Sequence, residues 1–433
     1  MDYIVHPGPG FTGTSEVPGD KSISHRSVIF GSIADGTTNI SGLLEGQDVL
    51  ATISAFRAMG VSIEGPDNGH LTIHGVGLHG LQAPDKPLNM GNSGTAMRLL
   101  IGLLAGQKFS SQLVGDSSLS QRPMQRVAEP LQKAGALIET HDGCPPVVIQ
   151  PSNSGLIGLY HELKIASAQI KSAILLAGLY ANTATTVVEP APTRDHSERM
   201  LRGFGCDIET HDLTAILKPV NKLTATSIQV PGDISSAAFF LCAAAMQPGA
   251  RVRINHIGLN PTRTGILNIL RAMGAAVEID NEHVIAGEMV GDITVTGRGL
   301  SAIDVPEQWV PLAIDEFPMI CVIAATAKGI TRVRGAAELR VKESDRISAA
   351  AEGLKALGIH VEETADGLDV HGGVIAGGTV NSHHDHRISM AFAMAGLVAT
   401  HSIKILDCRN VATSFPNFVE TARFLGLNIE VLA

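Results

Sequence analysis

Seven short segments hold the residues that could do chemistry. In Pro18-Gly19-Asp20-Lys21-Ser22-Ile23-Ser24-His25-Arg26-Ser27, Asp20 or Ser22 can cap a helix running through Ile33. Lys21, Ser22 and Arg26 then cluster near its first turn. Backbone N–H groups, the helix dipole and two cations together make a phosphate site. The same pattern describes an ordinary capped surface helix, and the segment alone leaves the two readings level. Met90-Gly91-Asn92-Ser93-Gly94-Thr95-Ala96-Met97-Arg98 precedes an apolar helix from Leu99 to Ala105, where Gly94 permits close approach of a ligand and Thr95 can cap. It lacks the Gly-Lys-Ser/Thr ending of a phosphate-cradling loop, and a structural cap is its plainer meaning. Arg122, in Ser120-Gln121-Arg122-Pro123-Met124, stands before a Pro suited to a helix's first turn and can present a bidentate fork to a carboxylate or phosphate, or be merely solvated.

Four further segments add hydroxyls, acids and cations. Ala166 to Ser172 opens an apolar helix with Ser167 and Gln169 able to bind hydroxyls, or simply to cap. With it goes the related stretch Thr193-Arg194-Asp195-His196-Ser197, which opens another helix and offers Arg194. Asp315 and Glu316 sit in an apolar setting before a helix-like run, Met319 to Ala325, where a partly buried carboxylate can act as a general base or a cap. In Leu339-Arg340-Val341-Lys342-Glu343-Ser344-Asp345-Arg346, a helix would put Lys342 and Arg346 on one face with Glu343 beside them, although a salt-bridged surface is the usual meaning of such a run. His383-His384-Asp385-His386-Arg387 offers metal-ligand types, but no second ligand pair stands at metal-site spacing, so a capped helix carrying Arg387 into a cleft is favoured. Lys21, Arg26, Arg122, Arg194, Lys342, Arg346 and Arg387 all lie at or near predicted helix starts. Brought together, they suit a small polyanion with two or more anionic groups, with Asp315 and Glu343 as the acids among them.

The elements that must position these residues show as a repeat. Gly, two residues, Ile or Val, then Glu recurs at Gly60, Gly135, Gly205, Gly274, Gly358 and Gly426, at intervals of 75, 70, 69, 84 and 68 residues. Each copy reads as a helix end, a glycine in the left-handed position and a short strand. Six copies make chance the poorer account and an α/β unit of about 70 residues the better one. Val17-Pro18-Gly19-Asp20 recurs as Val230-Pro231-Gly232-Asp233, with three repeat glycines between the marks and three after. The expected architecture is therefore α/β with two similar lobes of three units each. One lobe is expected to cover 20–231 and the other 1–19 with 232–433. Hinges are expected near 18–20 and 230–233, with a site in the cleft between lobes.

The net charge of −10 argues against nucleic acid as a partner, because such binders usually carry a net basic face. Five cysteines without a CxxC pair argue against a disulfide framework or structural zinc and fit a reducing compartment. The opening residues resemble no signal or transit peptide. The longest apolar run, Ala237 to Met246, is too short to span a bilayer and reads as a buried helix. A cytoplasmic protein without membrane partners is expected.

Pro18 to Arg26, Gly91 to Arg98, Arg340 to Arg346 and Asp385-His386-Arg387 together resemble the signatures of the 5-enolpyruvylshikimate-3-phosphate synthase family, over about Val17 to Phe418. The resemblance implies two lobes of three βαβαββ-type units, an inverse α/β barrel. It also implies transfer of the enolpyruvyl group of phosphoenolpyruvate to the 5-hydroxyl of shikimate 3-phosphate, in aromatic amino acid (chorismate) biosynthesis. By position, Lys21, Ser22, Arg26, Ser167, Gln169, Arg194, Asp315 and Lys342 would bind shikimate 3-phosphate. Lys21, Gly94, Arg122, Gln169, Arg346 and Arg387 would bind phosphoenolpyruvate. Asp315 and Glu343 would be the catalytic acid–base pair, assisted by Lys21 and Lys342. No metal or organic cofactor is implied, and a monomer is expected.

One branch of the family has Lys before the Phe-Pro near its end and Asn-Trp before Arg-Val-Lys. In that branch the run is Lys-Thr-Phe-Pro, whereas here it is Ala412-Thr413-Ser414-Phe415-Pro416, and Glu338-Leu339 stand before Arg340-Val341-Lys342. With Thr193-Arg194-Asp195-His196, these features resemble the second branch, whose herbicide-tolerant members carry Ala where Gly94 stands; inhibition by glyphosate is therefore expected. The sister enzyme acting on UDP-N-acetylglucosamine typically has a Lys-Asn pair near its start and a catalytic Cys on a loop. This chain has Lys21-Ser22 and no Cys from Val114 to Arg126. A non-catalytic binder of phosphorylated metabolites would need the cations but neither Asp315 nor Glu343.

Overall fold

All six repeat glycines follow a helix and take a positive φ, between +83° and +109°. At each, the glycine N–H bonds three residues back and the next N–H five residues back, as in Gly60 N to Arg57 O and Val61 N to Phe56 O, both 3.1 Å. The same pair of bonds closes the helices ahead of Gly135, Gly205, Gly274, Gly358 and Gly426. These are Schellman ends, which satisfy carbonyls that the helix leaves unpaired. A side chain at such a φ costs roughly 1–2 kcal/mol, so glycine is the residue that fits.

The computed structural model describes every residue except Pro9, Ala286 and Ala433. The chain divides into two compact units: Gly19–Val230 with Ile285–Gly287, and Met1–Pro18 with Pro231–Val284 and Glu288–Ala433. They are called here the N-terminal and C-terminal units. Each has its own apolar core.

Each unit holds three sheets with a recurring strand order. In one, Leu88–Asn89 pairs in parallel with Ser111–Val114, which pairs antiparallel with Cys144–Gln150, beside Leu137–His141. The equivalent first pair is parallel and the second antiparallel in each of the other sheets. In the sheet built on Ile330–Val333, the parallel partner is reduced to bridges from Ser301 and Asp304. The first residues of the chain complete the C-terminal unit, because Asp2–His6 lies between Ile403–Leu406 and Asn428–Leu432. The four strand positions and two helices per copy match the βαβαββ expectation.

Two kinds of helix alternate. Lys21–Ser32, Gly94–Leu104 and Ala168–Gly178 in the N-terminal unit are buried along nearly their whole length. Ile234–Met246, Phe317–Thr326 and His386–Ala395 are their counterparts in the C-terminal unit. Their composition explains it: Ala, Gly, Ser, Leu and Ile pack on every side at low entropic cost. Gly102 lets two of these helices touch, since a Cβ there would stand 2.1 Å from the Ala173 carbonyl oxygen. The expected buried helix at Ala237 to Met246 is present, all residues of Ile234–Met246 being buried.

Three local expectations are corrected. Ser93, not Thr95, caps its helix, accepting from Ala96 N, because the helix starts one residue before Thr95. Pro123 lies outside a first turn, since the helix after it begins at Gln125. Lys342 and Arg346 do not share a helical face. A 3-10 turn, Ala337–Val341, ends at Lys342, and the next helix begins at Arg346 with Asp345 as its cap.

Candidate active site

In the N-terminal unit the predicted residues gather at the N-termini of the buried helices. Asp20 caps the first, accepting from Ile23 N at 2.9 Å. That fixes Lys21 in the first turn, with Nζ 3.1 Å from Asp48 Oδ2. Arg194 reaches back to Ser22, Nη1 to Oγ 3.5 Å. Arg26 is 2% exposed. Its guanidinium donates to Ser197 Oγ (2.8 Å), Ser172 Oγ (2.7 Å) and the Ser22 carbonyl (3.0 Å). It therefore braces three helix starts in this structure, instead of presenting its charge outward.

Gln169 is held at both ends of its amide. Arg98 Nη1 donates to its Oε1 at 2.6 Å, and its Nε2 donates to Thr95 Oγ1 at 2.9 Å. Ser167 occupies the N-cap position, yet its side chain makes no capping bond, which favours the ligand reading over the plain cap. Arg122 is fixed by Asn92 Oδ1 (2.6 Å) and Ser118 Oγ (3.1 Å). A Cβ on Gly94 would stand 3.0 Å from Arg98 Nη1 and 3.2 Å from Arg122 Nη1, so this glycine lies directly on two guanidiniums.

The C-terminal unit gathers the acids. Asp315 lies between two buried arginines, Oδ1 at 3.6 Å from Arg346 Nη1 and Oδ2 at 3.7 Å from Arg387 Nη2. Glu343 Oε2 is 2.6 Å from Arg346 Nη2. Asp385 caps its helix on Arg387 N and grips Arg346 Nε at 2.8 Å. Burial works against charge on Arg346, but Asp385 and Glu343 outweigh it and hold its pKa above the ordinary value. Arg387 goes the other way. Burial, then the neighbouring Arg346 charge, push its pKa below that of a free arginine. Glu316, 3.8 Å from Arg387 Nη1, acts in the opposite direction without reversing the shift. An anion placed beside Arg387 would favour its charged form. Lys342 Nζ, 3.4 Å from Glu338 Oε1, is turned toward a residue four back.

Sequence reasoning missed Asp48, Arg98, Asn92, Ser197 and Asp385 as members of these sets. Arg98 and Asp385 lay inside quoted motifs, but their partners are 71 and 39 residues away, beyond any local pattern. The His383-His384-Asp385-His386 run is split among different partners. His383 meets Glu352 at 3.0 Å, His384 meets Asp407 at 2.6 Å, and Asp385 is engaged by Arg346. The run does cap a helix, as Asp385 accepts from Arg387 N.

His25, fully buried behind Lys21, binds Thr52 Oγ1 through Nδ1 at 2.8 Å. Burial, then Lys21 and Arg26, push its pKa down to about 3. Its folded value lies below the unfolded value of about 6.5, so the unfolded chain binds the extra proton. The stability is complete above that pH and falls as pH drops toward 3. At pH 4.5 the loss should be about 2–3 kcal/mol. Urea midpoints at pH 7.5 and 4.5 should separate less in His25→Gln than in the wild type; equal separations would show that His25 does not carry this dependence.

No helix among the described residues is long and apolar enough to cross a membrane. The family model for EPSP synthase (3-phosphoshikimate 1-carboxyvinyltransferase) matches residues 5–422. The chain is 57% identical over 429 residues to the 3-phosphoshikimate 1-carboxyvinyltransferase of Acidithiobacillus ferrooxidans, covering 99% of both chains. It is 51% identical over 430 residues to that of Legionella pneumophila, again covering 99% of both. A solved EPSP synthase structure from Acinetobacter baumannii superposes with a TM-score of 0.89 at 53% identity, covering 100% of both chains. Six Schellman-ended repeats, cation-rich helix starts and an acid pair on buried arginines thus agree with a full-length match: the chain belongs to the EPSP synthase (3-phosphoshikimate 1-carboxyvinyltransferase) family.

Proposed function

We propose the residue roles by which this chain, an enzyme of the 3-phosphoshikimate 1-carboxyvinyltransferase class, moves the carboxyvinyl group of phosphoenolpyruvate to the 5-hydroxyl of shikimate 3-phosphate. The observation that carries the reading is the acid pair Asp315 and Glu343 on the buried arginine pair Arg346 and Arg387. A binder of phosphorylated metabolites needs the arginines but not two acids poised on them.

Lys21, Ser22, Ser167, Gln169 and Arg194 hold shikimate 3-phosphate. Their cations and helix N-termini suit a phosphate, and the hydroxyl and amide suit ring hydroxyls. Arg26 belongs to the same set, its guanidinium anchored by Ser197, Ser172 and the Ser22 carbonyl. Lys21, Gly94, Arg122, Gln169, Arg346 and Arg387 hold phosphoenolpyruvate, whose anionic groups favour the charged form of the arginines.

Glu343 gives a proton to the methylene carbon as Asp315, aided by Lys342, takes the proton of the 5-hydroxyl. The oxygen then bonds to the phosphate-bearing carbon of phosphoenolpyruvate. The tetrahedral intermediate expels phosphate, and loss of a methyl proton restores the double bond. The residues supply charge and proton transfer, and no step requires a cofactor.

Phosphate release with both substrates, against each alone, tests the reading. Release only with both present, and at least about a hundredfold slower in Glu343→Gln, is the expected result. Tight binding of shikimate 3-phosphate without turnover would instead favour the non-catalytic binder.

Membership of the second branch of the family is supported by Thr413-Ser414 before Phe415-Pro416, by Glu338-Leu339 and by Thr193 to His196. Glu338 there accepts Lys342, a pairing that Asn at that place would not match in charge. With Gly94 in place, glyphosate is expected to compete with phosphoenolpyruvate. Gly94→Ala should raise the half-inhibiting concentration about tenfold or more, the effect of about 1.4 kcal/mol lost from anion binding. Turnover of the wild type unchanged by glyphosate well above the phosphoenolpyruvate concentration would refute this.

A further inference from the structure

Outside this site, two histidines and a glutamate converge on the solvent face of one sheet in the C-terminal unit. The strand Val361–Thr364 pairs antiparallel with Gly367–His371. Val361, Leu368 and Val370 face the core, so the alternation turns Glu362 and His371 outward. The pairing extends by one residue, because His371 N donates to the His360 carbonyl at 3.0 Å. The two imidazoles are thereby held side by side by the backbone, with ring centroids 4.4 Å apart.

Their Nε2 atoms meet one carboxylate oxygen. His360 Nε2 is 3.3 Å and His371 Nε2 3.7 Å from Glu362 Oε1, and all three atoms lie within 4.8 Å of one another. Around a tetrahedral zinc ion, with bonds of 2.0–2.1 Å, neighbouring ligand atoms stand about 3.3 Å apart. The two imidazole-to-carboxylate spacings need shifts of at most a few tenths of an ångström to fit, and rotation of these surface side chains can bring all three ligand atoms, which lie within 4.8 Å of one another, to that distance. Arg332, the nearby cation, is engaged by Asp304 at 3.0 Å and Asp369 at 3.5 Å, so its charge is largely offset. Two imidazoles and one carboxylate suit zinc, cobalt, nickel or copper better than magnesium or calcium.

We propose that His360, Glu362 and His371 form a binding site for a divalent first-row transition metal ion, of the zinc type. The site is three-coordinate in protein ligands and leaves the fourth position to water or to an outside donor. It lies on a strand pair that carries none of the proposed site residues and serves no step of the reaction. Because the ligands are on the surface and the strands are held by backbone bonds, metal binding requires no folding step.

The test uses untagged full-length protein stripped of metal by a chelator and dialysed. Cobalt(II) is titrated while the visible absorption of tetrahedral cobalt is followed, and zinc(II) is then added. One equivalent of cobalt should give the tetrahedral band, and zinc should displace it. The double variant His360→Asn/His371→Asn should lose the band while keeping substrate turnover, and Glu362→Gln should weaken binding roughly tenfold or more. His383→Asn/His384→Asn should bind as the wild type does. Absence of a band in the wild type, or a band unchanged in the first double variant, would overturn the proposal. Chelator-resistant metal already present in the purified protein and lost in that variant would support it.

Discussion

Asp315→Asn is expected to lower kcat by roughly 10²–10⁴-fold, the range attributable to one general base. This equals about 2.7–5.5 kcal/mol of transition-state stabilisation. The substitution keeps size and backbone, so the 3.1 Å bond from Arg387 Nη1 to the Asp315 carbonyl oxygen survives. What is removed is the basic oxygen and one negative charge between Arg346 and Arg387. That loss leaves the arginine pair more positive, so the KM for phosphoenolpyruvate should stay level or fall. A purely structural role would instead raise KM and lower the unfolding midpoint together with kcat. Steady-state phosphate release combined with urea unfolding separates the two. A kcat within tenfold of the wild type would exclude Asp315 as the base.

The largest effect on stability is expected at Lys171. Its ammonium, 2% exposed, is clamped between Glu189 at 2.6 Å and Glu198 at 2.8 Å, and Thr193 also donates to Glu189. Burial disfavours the charged amine, yet the two carboxylates overcome it and hold its pKa above the ordinary lysine value. Burial likewise tends to raise the pKa of Glu189, against Lys171. The ion pair is the state favoured here, because the ammonium contacts both carboxylates at charge-assisted distances. Lys171→Met would leave two buried acids without a cation, at a cost of about 3–5 kcal/mol. Since a domain has only about 5–15 kcal/mol to lose, the variant should unfold at much lower urea or fail to accumulate. Adding Glu189→Gln and Glu198→Gln should restore much of the loss, because the uncompensated charges are then gone. A single variant as stable as the wild type would contradict the account.

Lys171 also ties sequence to function. It lies in the buried helix Ala168–Gly178, whose start carries Ser167 and Gln169, while Glu198 lies in His196–Gly203, which follows Arg194. The buried charge cluster thus fixes the register between two helix starts proposed to hold the same substrate.

The fold was legible where one short stretch carries a complete physical reason. A glycine at +83° to +109° after a helix is demanded by local sterics, so six copies of it announced six repeats. Asp20 as a cap and Ile234–Met246 as a buried helix are local facts of the same kind. Lys342 misled because its charge spacing with Arg346 fits a helix, while the backbone breaks between them at Ser344 and Asp345. Arg26 was legible as a cation near a helix start, but the groups that hold it there were not. Its partners Ser172 and Ser197 come from 146 and 171 residues away and bury it.

By itself the sequence determined the repeat, the capped helix starts and the chemical types gathered at them, because caps, turns and periodicity depend on neighbours within a few residues. Only the tertiary structure decided which charges meet. Asp385 was assigned to Arg346, Arg98 to Gln169, and Lys171 to two glutamates. It also set Asp2–His6 between strands that begin some 400 residues later. Those pairings are chosen by burial, which makes an unpaired charge or an open strand edge too costly and so enforces partners that no local pattern specifies.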